Sequence, residues 1–262
     1  MSIQKYIDKW HRSMAKRVPG IQPPVVAGNK RIANVGRVPF LLPKLELGEI
    51  FPGCDQAEVV FMPRLIRTHK WAMPEHELIA LGAVARVLQP SLVVEFGTFM
   101  GGSTLALASN MTGTGKIVTF DLDPASRRTH VHGMGVGVPD FELGSLFRGT
   151  RYEEVIEQRY SNSIDLVAAD LVGKADLVFV DADHTYDYVK KDTLLAIKLL
   201  KPGGSILWHD YSWDRSSSEC VGVTKTVNEF SDEFGGCCQI AGTRFAIYTP
   251  SLVVKRLRTE AA

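Results

Sequence analysis

Four short apolar runs, LVVEF at 92–96, IVTF at 117–120, LVFV at 177–180 and ILW at 206–208, each end in or near an acid, a glycine or a histidine. Helical patterns separate them. Strands this apolar are buried on both faces, and their alternation with helices calls for a parallel sheet covered on each side. Right-handed crossovers then line up the strand C-termini along one rim, where such sheets bind ligands.

The remaining elements are less sharply written. A further parallel strand belongs between Asp121 and Leu177; VIEQRY at 155–160 is the choice, with IDLVA at 164–168 as its rival. A helix is expected over 223–234, and strands near 238–240 and 245–248 flank the turn AGTR as an antiparallel hairpin. In MPEHELIALGAVARVLQP, Pro74 suits a first helical turn, Glu75 and Glu77 favour its positive end, and Pro90 lies beyond the stop. Residues 3–18 form an amphipathic basic helix, and the Pro/Gly-rich stretch that follows reads as an arm or lid. The expected division is therefore an arm over 1–73 and a main domain over 74–262.

Thirty basic against twenty-nine acidic residues leave a net charge of +1, which makes no overall case for nucleic acid. No apolar run approaches the roughly 18 residues of a membrane span, and the N-terminus lacks a secretory core, so the expectation is a cytoplasmic protein. Cys54, Cys220, Cys237 and Cys238 show neither CxxC spacing nor disulfide-scaffold density and read as structural. The basic helix and arm suggest packing on a second copy, hence a homo-oligomer.

The most informative stretch is VVEFGTFMGGSTLALA. A buried strand carries Glu95, Gly97 permits a tight turn, Gly101 and Gly102 let a ligand approach the backbone, and Ser103 suits the cap of the next helix. The spacing is E-x-G-x-x-x-G, not the G-x-G-x-x-G on which pyrophosphate rests. The next strand ends in Asp121, an acid able to accept both hydrogen bonds of a ribose diol. An adenosine cofactor without pyrophosphate satisfies this pair, and S-adenosylmethionine is one.

Together with VFVDADHTYDYV and LLKPGGSILWHDYSW, these motifs resemble the class I S-adenosylmethionine-dependent methyltransferases, in particular the methyltransferase domain 24 group, over about residues 74–250. The resemblance implies a doubly wound, Rossmann-like α/β sheet of seven strands, mostly parallel, to which the residue pattern adds the C-terminal antiparallel hairpin and the N-terminal helical arm. It places Glu95, Gly97, Thr98, Gly101 and Ser103 around the methionine part of the cofactor and Asp121 at its ribose. Where the family commonly has G-D-S near the adenine, this chain has Ser161, Asn162 and Ser163, so Asn162 and Ser163 are expected there with an amide in place of the acid.

Methyl transfer to a hydroxyl needs that proton removed or polarised, by a base, a divalent metal or both. His184 has an ordinary pKa of about 6.5 and is expected to be an unprotonated base near neutral pH. In catechol-type relatives a metal-binding Asp is followed three positions later by a lysine proposed as base; Asp181 and His184 fall on those positions. Two adjacent oxygen ligands of the metal-dependent relatives correspond to His209 and Asp210. Asp181, His209 and Asp210 would then hold magnesium or manganese, the imidazole leaning the choice toward manganese or another transition metal. The alternative is that Asp181 contacts the cofactor while His209 and Asp210 form a hydrogen-bonded pair shaping the cleft.

Lesser candidates are His130 and His132, read as merely polar, a long connection over 123–152 as a substrate lid, and Trp208, Tyr211 and Trp213, as stacking surface or core. Asp183 reads as a support or cofactor-side residue. The expected function is O-methylation of a small-molecule hydroxyl, with His184, Asp181 and Asp210 as the catalytic group. Two rivals stay open: an NAD-dependent oxidoreductase, disfavoured by the missing G-x-G-x-x-G, and a non-catalytic cofactor-binding subunit.

Overall fold

The computed structural model describes residues 38, 41–66, 69–129, 142–161, 168–211, 220–250 and 252. The expected N-terminal helix, His130, His132, Asn162, Ser163, Trp213 and all but the last residue of the rival strand lie outside them.

Eight strands form one sheet: β1 (Lys44–Leu45), β2 (Leu92–Phe96), β3 (Lys116–Asp121), β4 (Ile156–Tyr160), β5 (Ala175–Val180), β6 (Leu200–Trp208), β7 (Cys237–Ile240) and β8 (Ala246–Tyr248), in the order β1-β7-β8-β6-β5-β2-β3-β4. Only β8 runs antiparallel, to β6 and β7; the other pairings are parallel. The stretch VIEQRY thus supplies the strand beside β3. The expected count of seven is exceeded by β1, which comes from the Pro/Gly-rich arm just before helix α1 (Leu47–Ile50) and pairs through Lys44 and Leu45 with Gln239 and Ile240. Two residues carry too little periodicity to announce a strand; the free edge of β7 makes it one.

Alternation along the strands sorts the core into two layers. Val93, Leu177, Phe179 and Leu207 face one side, with Leu78, Leu81 and Val84 of helix α2 (Glu75–Leu88) and Leu105 and Leu107 of helix α3 (Gly102–Asn110). Val94, Phe96, Val178, Ile206 and Trp208 face the other, with Val189 and Ile197 of helix α4 (Tyr186–Leu199) and Val227 and Phe230 of helix α5 (Cys220–Phe234). Each such aliphatic or aromatic side chain contributes on the order of 1.5–3 kcal/mol on full burial. Trp208 and Tyr211 are wholly buried in the second layer, so they are core and not a stacking platform. Pro74 stands just before α2, at its N-cap, and not inside its first turn.

The strand order reverses between β2 and β5. From β2 the chain builds outward through β3 to β4, and from β5 through β6 to the hairpin. Crevices at such reversals, beyond the strand C-termini, are where open α/β sheets bind ligands. Among the described residues no helix is long and apolar enough to cross a membrane.

Candidate active site at the carboxyl rim

Strand register brings the candidate residues into line. Gly97 N donates to Phe120 O (2.8 Å), Asp181 N to Phe96 O (2.9 Å) and His209 N to Val180 O (3.1 Å), so Asp121, Gly97, Asp181 and His209 step side by side off four neighbouring strands. The distances follow from parallel pairing: Phe96 pairs with Val180, and Val180 with Trp208.

The glycine turn is shaped by the protein's own packing. Gly97 has φ +98°, and a Cβ there would meet Asp181 O at 2.1 Å; Gly101 has φ +83°, and its Cβ would meet the Phe147 ring at 2.5 Å. The room at Gly101 is thus taken by Phe147, while Gly102 has only Leu146 Cδ1 at 3.6 Å. Asp121 clamps the turn: Oδ2 accepts from Phe99 N (2.8 Å) and Oδ1 from Leu122 N (2.8 Å).

Glu95 lies on the interior side of the turn. It is fully buried and accepts from Ser103 Oγ (2.6 Å), Thr104 Oγ1 (2.5 Å) and Thr119 Oγ1 (2.6 Å). Helix α3 begins at Gly102 with Gly101 as its cap residue, so Ser103 serves Glu95 and does not cap the helix. Thr98 is likewise buried, its hydroxyl 2.7 Å from Thr119 Oγ1. Burial raises the Glu95 carboxyl to about 7 against the three hydroxyls that favour its charged form.

At the ends of β5 and β6 the acids and imidazoles meet. His184 Nε2 lies 3.3 Å from Asp210 Oδ2 and 3.7 Å from Asp181 Oδ1. Burial disfavours a charge on His184, yet Asp210 and Asp181 overcome it and raise its pKa to about 9. The surroundings thus favour the charged imidazole, whereas sequence reasoning expected a neutral one without tuning. The two carboxylates one strand apart make the difference.

His209 is committed elsewhere. Its Nδ1 faces Asp181 Oδ1 at 3.0 Å and its Nε2 faces Glu77 Oε2 at 2.9 Å, in a site where the ring is 6% exposed. Burial opposes the charge, but Asp210, Asp181 and Glu77 hold the pKa well above the ordinary histidine value. Both ring nitrogens of His209 are thus turned to carboxylates. Of the expected set Asp181, His209 and Asp210, His209 is the member engaged at both nitrogens, the arrangement that the cleft-shaping alternative describes. Among the described residues the group of His, Cys, Asp and Glu side chains whose ligand atoms lie within 4.8 Å of one another is Asp181, His184 and Asp210.

Residues 94–211 match the sequence model of a methyltransferase domain, and that match falls on the strands and turns that build this rim. The matched stretch is a little under half of the chain. Catechol O-methyltransferase domain-containing protein 1 of Mus musculus is 27% identical to the chain over 161 residues, covering 57% of this chain and 55% of the mouse protein. The chain spans about half the length of the curated relatives it matches. The O-methyltransferase TomG from Streptomyces achromogenes, solved in complex with SAM, is 18% identical, with a TM-score of 0.52 over 76% of this chain and 94% of TomG. The SAH-bound methyltransferase PaMTH1 of Podospora anserina is 15% identical, with a TM-score of 0.55 over 77% and 94% of the two chains. At such identities the likeness is one of fold alone.

Two residues outside the matched stretch 94–211 join the site in space. Glu77, read as a helix-dipole residue, accepts from His209, and Arg244, read as part of a hairpin turn, donates from Nη1 to Asp210 Oδ1 (2.7 Å). A buried acid one turn into an apolar helix was the available signal for Glu77. Arg244 had none, because β8 brings it to the rim only by pairing antiparallel with β6. Asp183 is a support: its Oδ1 accepts from Thr185 N (2.7 Å) at the start of α4. Cys54, Cys237 and Cys238 are buried.

Proposed function

We propose that the chain is an S-adenosylmethionine-dependent O-methyltransferase acting on a hydroxyl of a small molecule such as a sugar, a glycan or a natural-product precursor. The observation that carries this reading is the juxtaposition, across the sheet's reversal, of the Gly97 turn clamped by Asp121 with the Asp181–His184–Asp210 cluster. The turn and Asp121 suit the methionine and ribose parts of the cofactor, and the cluster stands one strand further on, where an acceptor would lie. An NAD-dependent reaction lacks a pyrophosphate-binding loop here.

In the reaction the acceptor oxygen forms a bond to the methyl carbon as the carbon–sulfur bond breaks. S-adenosylhomocysteine leaves and the hydroxyl proton is released. The donor set of two carboxylates and one imidazole fits manganese or a related cation, held by Asp181, His184 and Asp210. Such an ion, when bound, lowers the pKa of a hydroxyl it touches. His184 acts as ligand in this reading, and either role, ligand or general base, requires the neutral ring; Asp210 and Asp181 favour its proton, which a cation bound between them would displace.

The test is methyl transfer from labelled S-adenosylmethionine to a panel of sugar and phenolic hydroxyls, with and without manganese, alongside calorimetry with S-adenosylhomocysteine. Binding of the cofactor product and label in an ether product are expected. Stabilisation by NAD with no binding of S-adenosylhomocysteine would overturn the reading.

A further inference from the structure

Glu77 and Arg244 stand 167 residues apart, and neither belongs to the cluster of Asp181, His184 and Asp210. The contacts that orient the cluster nonetheless run through them. Glu77 is 1% exposed and accepts from four nitrogens: His209 Nε2 (2.9 Å), Arg244 Nη2 (2.8 Å), Arg244 Nε (3.1 Å) and the Arg244 backbone N–H (2.8 Å). The guanidinium thereby has one edge fixed.

Its remaining nitrogen, Nη1, reaches Asp210 Oδ1 at 2.7 Å, which leaves Oδ2 as the oxygen turned toward His184. Asp210 has φ +58°, a backbone conformation that a non-glycine residue keeps only when its surroundings hold it there. Arg244 holds it from two sides, since the next amide, Tyr211 N, donates to Arg244 O at 2.9 Å. Through Glu77 the same arginine is linked to His209, whose Nδ1 faces Asp181 Oδ1. One ion pair therefore orients both acids of the cluster.

We propose that Glu77 and Arg244 are positioning residues, which aim Asp210 directly and Asp181 through His209 at a divalent cation held by Asp181, His184 and Asp210. The proposal rests on the cation reading above. An apolar pair of similar volume fills a buried site at least as stably as an ion pair does, so what the pair adds is direction. Lysine cannot replace the arginine, because a single ammonium lacks the planar fork that spans two carboxylates.

The experiment uses the full chain and two probes, manganese(II) by electron paramagnetic resonance and S-adenosylhomocysteine by calorimetry. Arg244→Ala, Arg244→Lys and Glu77→Gln are each expected to weaken manganese binding about 10- to 100-fold, as for other residues that orient metal ligands, with S-adenosylhomocysteine binding unchanged. Methylguanidinium should restore manganese binding to Arg244→Ala, since the arginine side chain is 39% exposed and borders a cavity of about 530 Å³ that Lys44, His76 and Gln239 also line. Should Arg244→Ala fail to fold, Arg244→Lys and Glu77→Gln decide.

Manganese affinity in the variants equal to that of the unmodified chain overturns the proposal, and so does parallel loss of both probes, which marks general collapse. If the unmodified chain binds S-adenosylhomocysteine but no manganese, this proposal and the cation reading both fall while methyl transfer stands. Manganese binding without S-adenosylhomocysteine overturns the methyl-transfer reading and leaves the variants to decide this one.

Discussion

His209 Nε2 lies 2.9 Å from Glu77 Oε2, a contact that joins residues 132 positions apart and ties the helix before the first central strand to the end of β6. Both side chains are buried, at 6% and 1% exposure. Removing one partner leaves an uncompensated charge, which costs far more than the pair contributes in net terms. Glu77→Ala is expected to destabilise the fold by about 3–5 kcal/mol, measured by urea unfolding.

Gly97 is the position where the turn admits least change. Alanine there would carry φ +98° and place its Cβ 2.1 Å from the Asp181 carbonyl oxygen. Backbone atoms cannot yield as a flexible side chain does, so β2 and β5 would have to part at their C-termini. Gly97→Ala should lower the melting temperature and abolish S-adenosylhomocysteine binding; binding at full affinity would remove the turn from the cofactor site.

Glu95 makes a prediction about pH. Burial raises its folded-state pKa to about 7 from an ordinary 4.5. Between those values the unfolded chain holds fewer protons, so this group's stabilising contribution is complete below about 4.5 and is lost as pH rises through 7. The loss is on the order of 3 kcal/mol. Urea titrations at pH 5 and pH 8 should show the decline in the unmodified chain and a flatter profile in Glu95→Gln.

His184 is held partly through its backbone. A Cβ on Gly222 would lie 2.2 Å from His184 O and 2.5 Å from Tyr186 N, so α5 packs directly on the segment that carries the imidazole. His184→Ala should weaken manganese binding and lower kcat while S-adenosylhomocysteine still binds. Gly222→Ala should reduce turnover too, by displacing that segment, without altering a single polar group. Full turnover in His184→Ala would remove His184 from the reaction.

Much of this site was legible in one dimension because its parts are local. A strand that must be apolar on both faces, a glycine turn and a terminal acid lie within a few residues of one another, and periodicity reports them directly. The same locality located Asp181, His184, His209 and Asp210 at strand ends. It could not divide their roles.

The sequence by itself determined the parallel sheet, the rim and the inventory of acids and imidazoles on it, since each depends on hydrophobic period and turn chemistry within one segment. Only the tertiary structure decided that His209 stands between Asp181 and Glu77, that His184 lies beside Asp181 and Asp210, and that Glu95 faces inward to three hydroxyls. The physical reason is that protonation and ligation depend on which charges lie within a few ångströms. Those neighbours, Glu77 and Arg244 above all, are delivered by strand order and not by position along the chain.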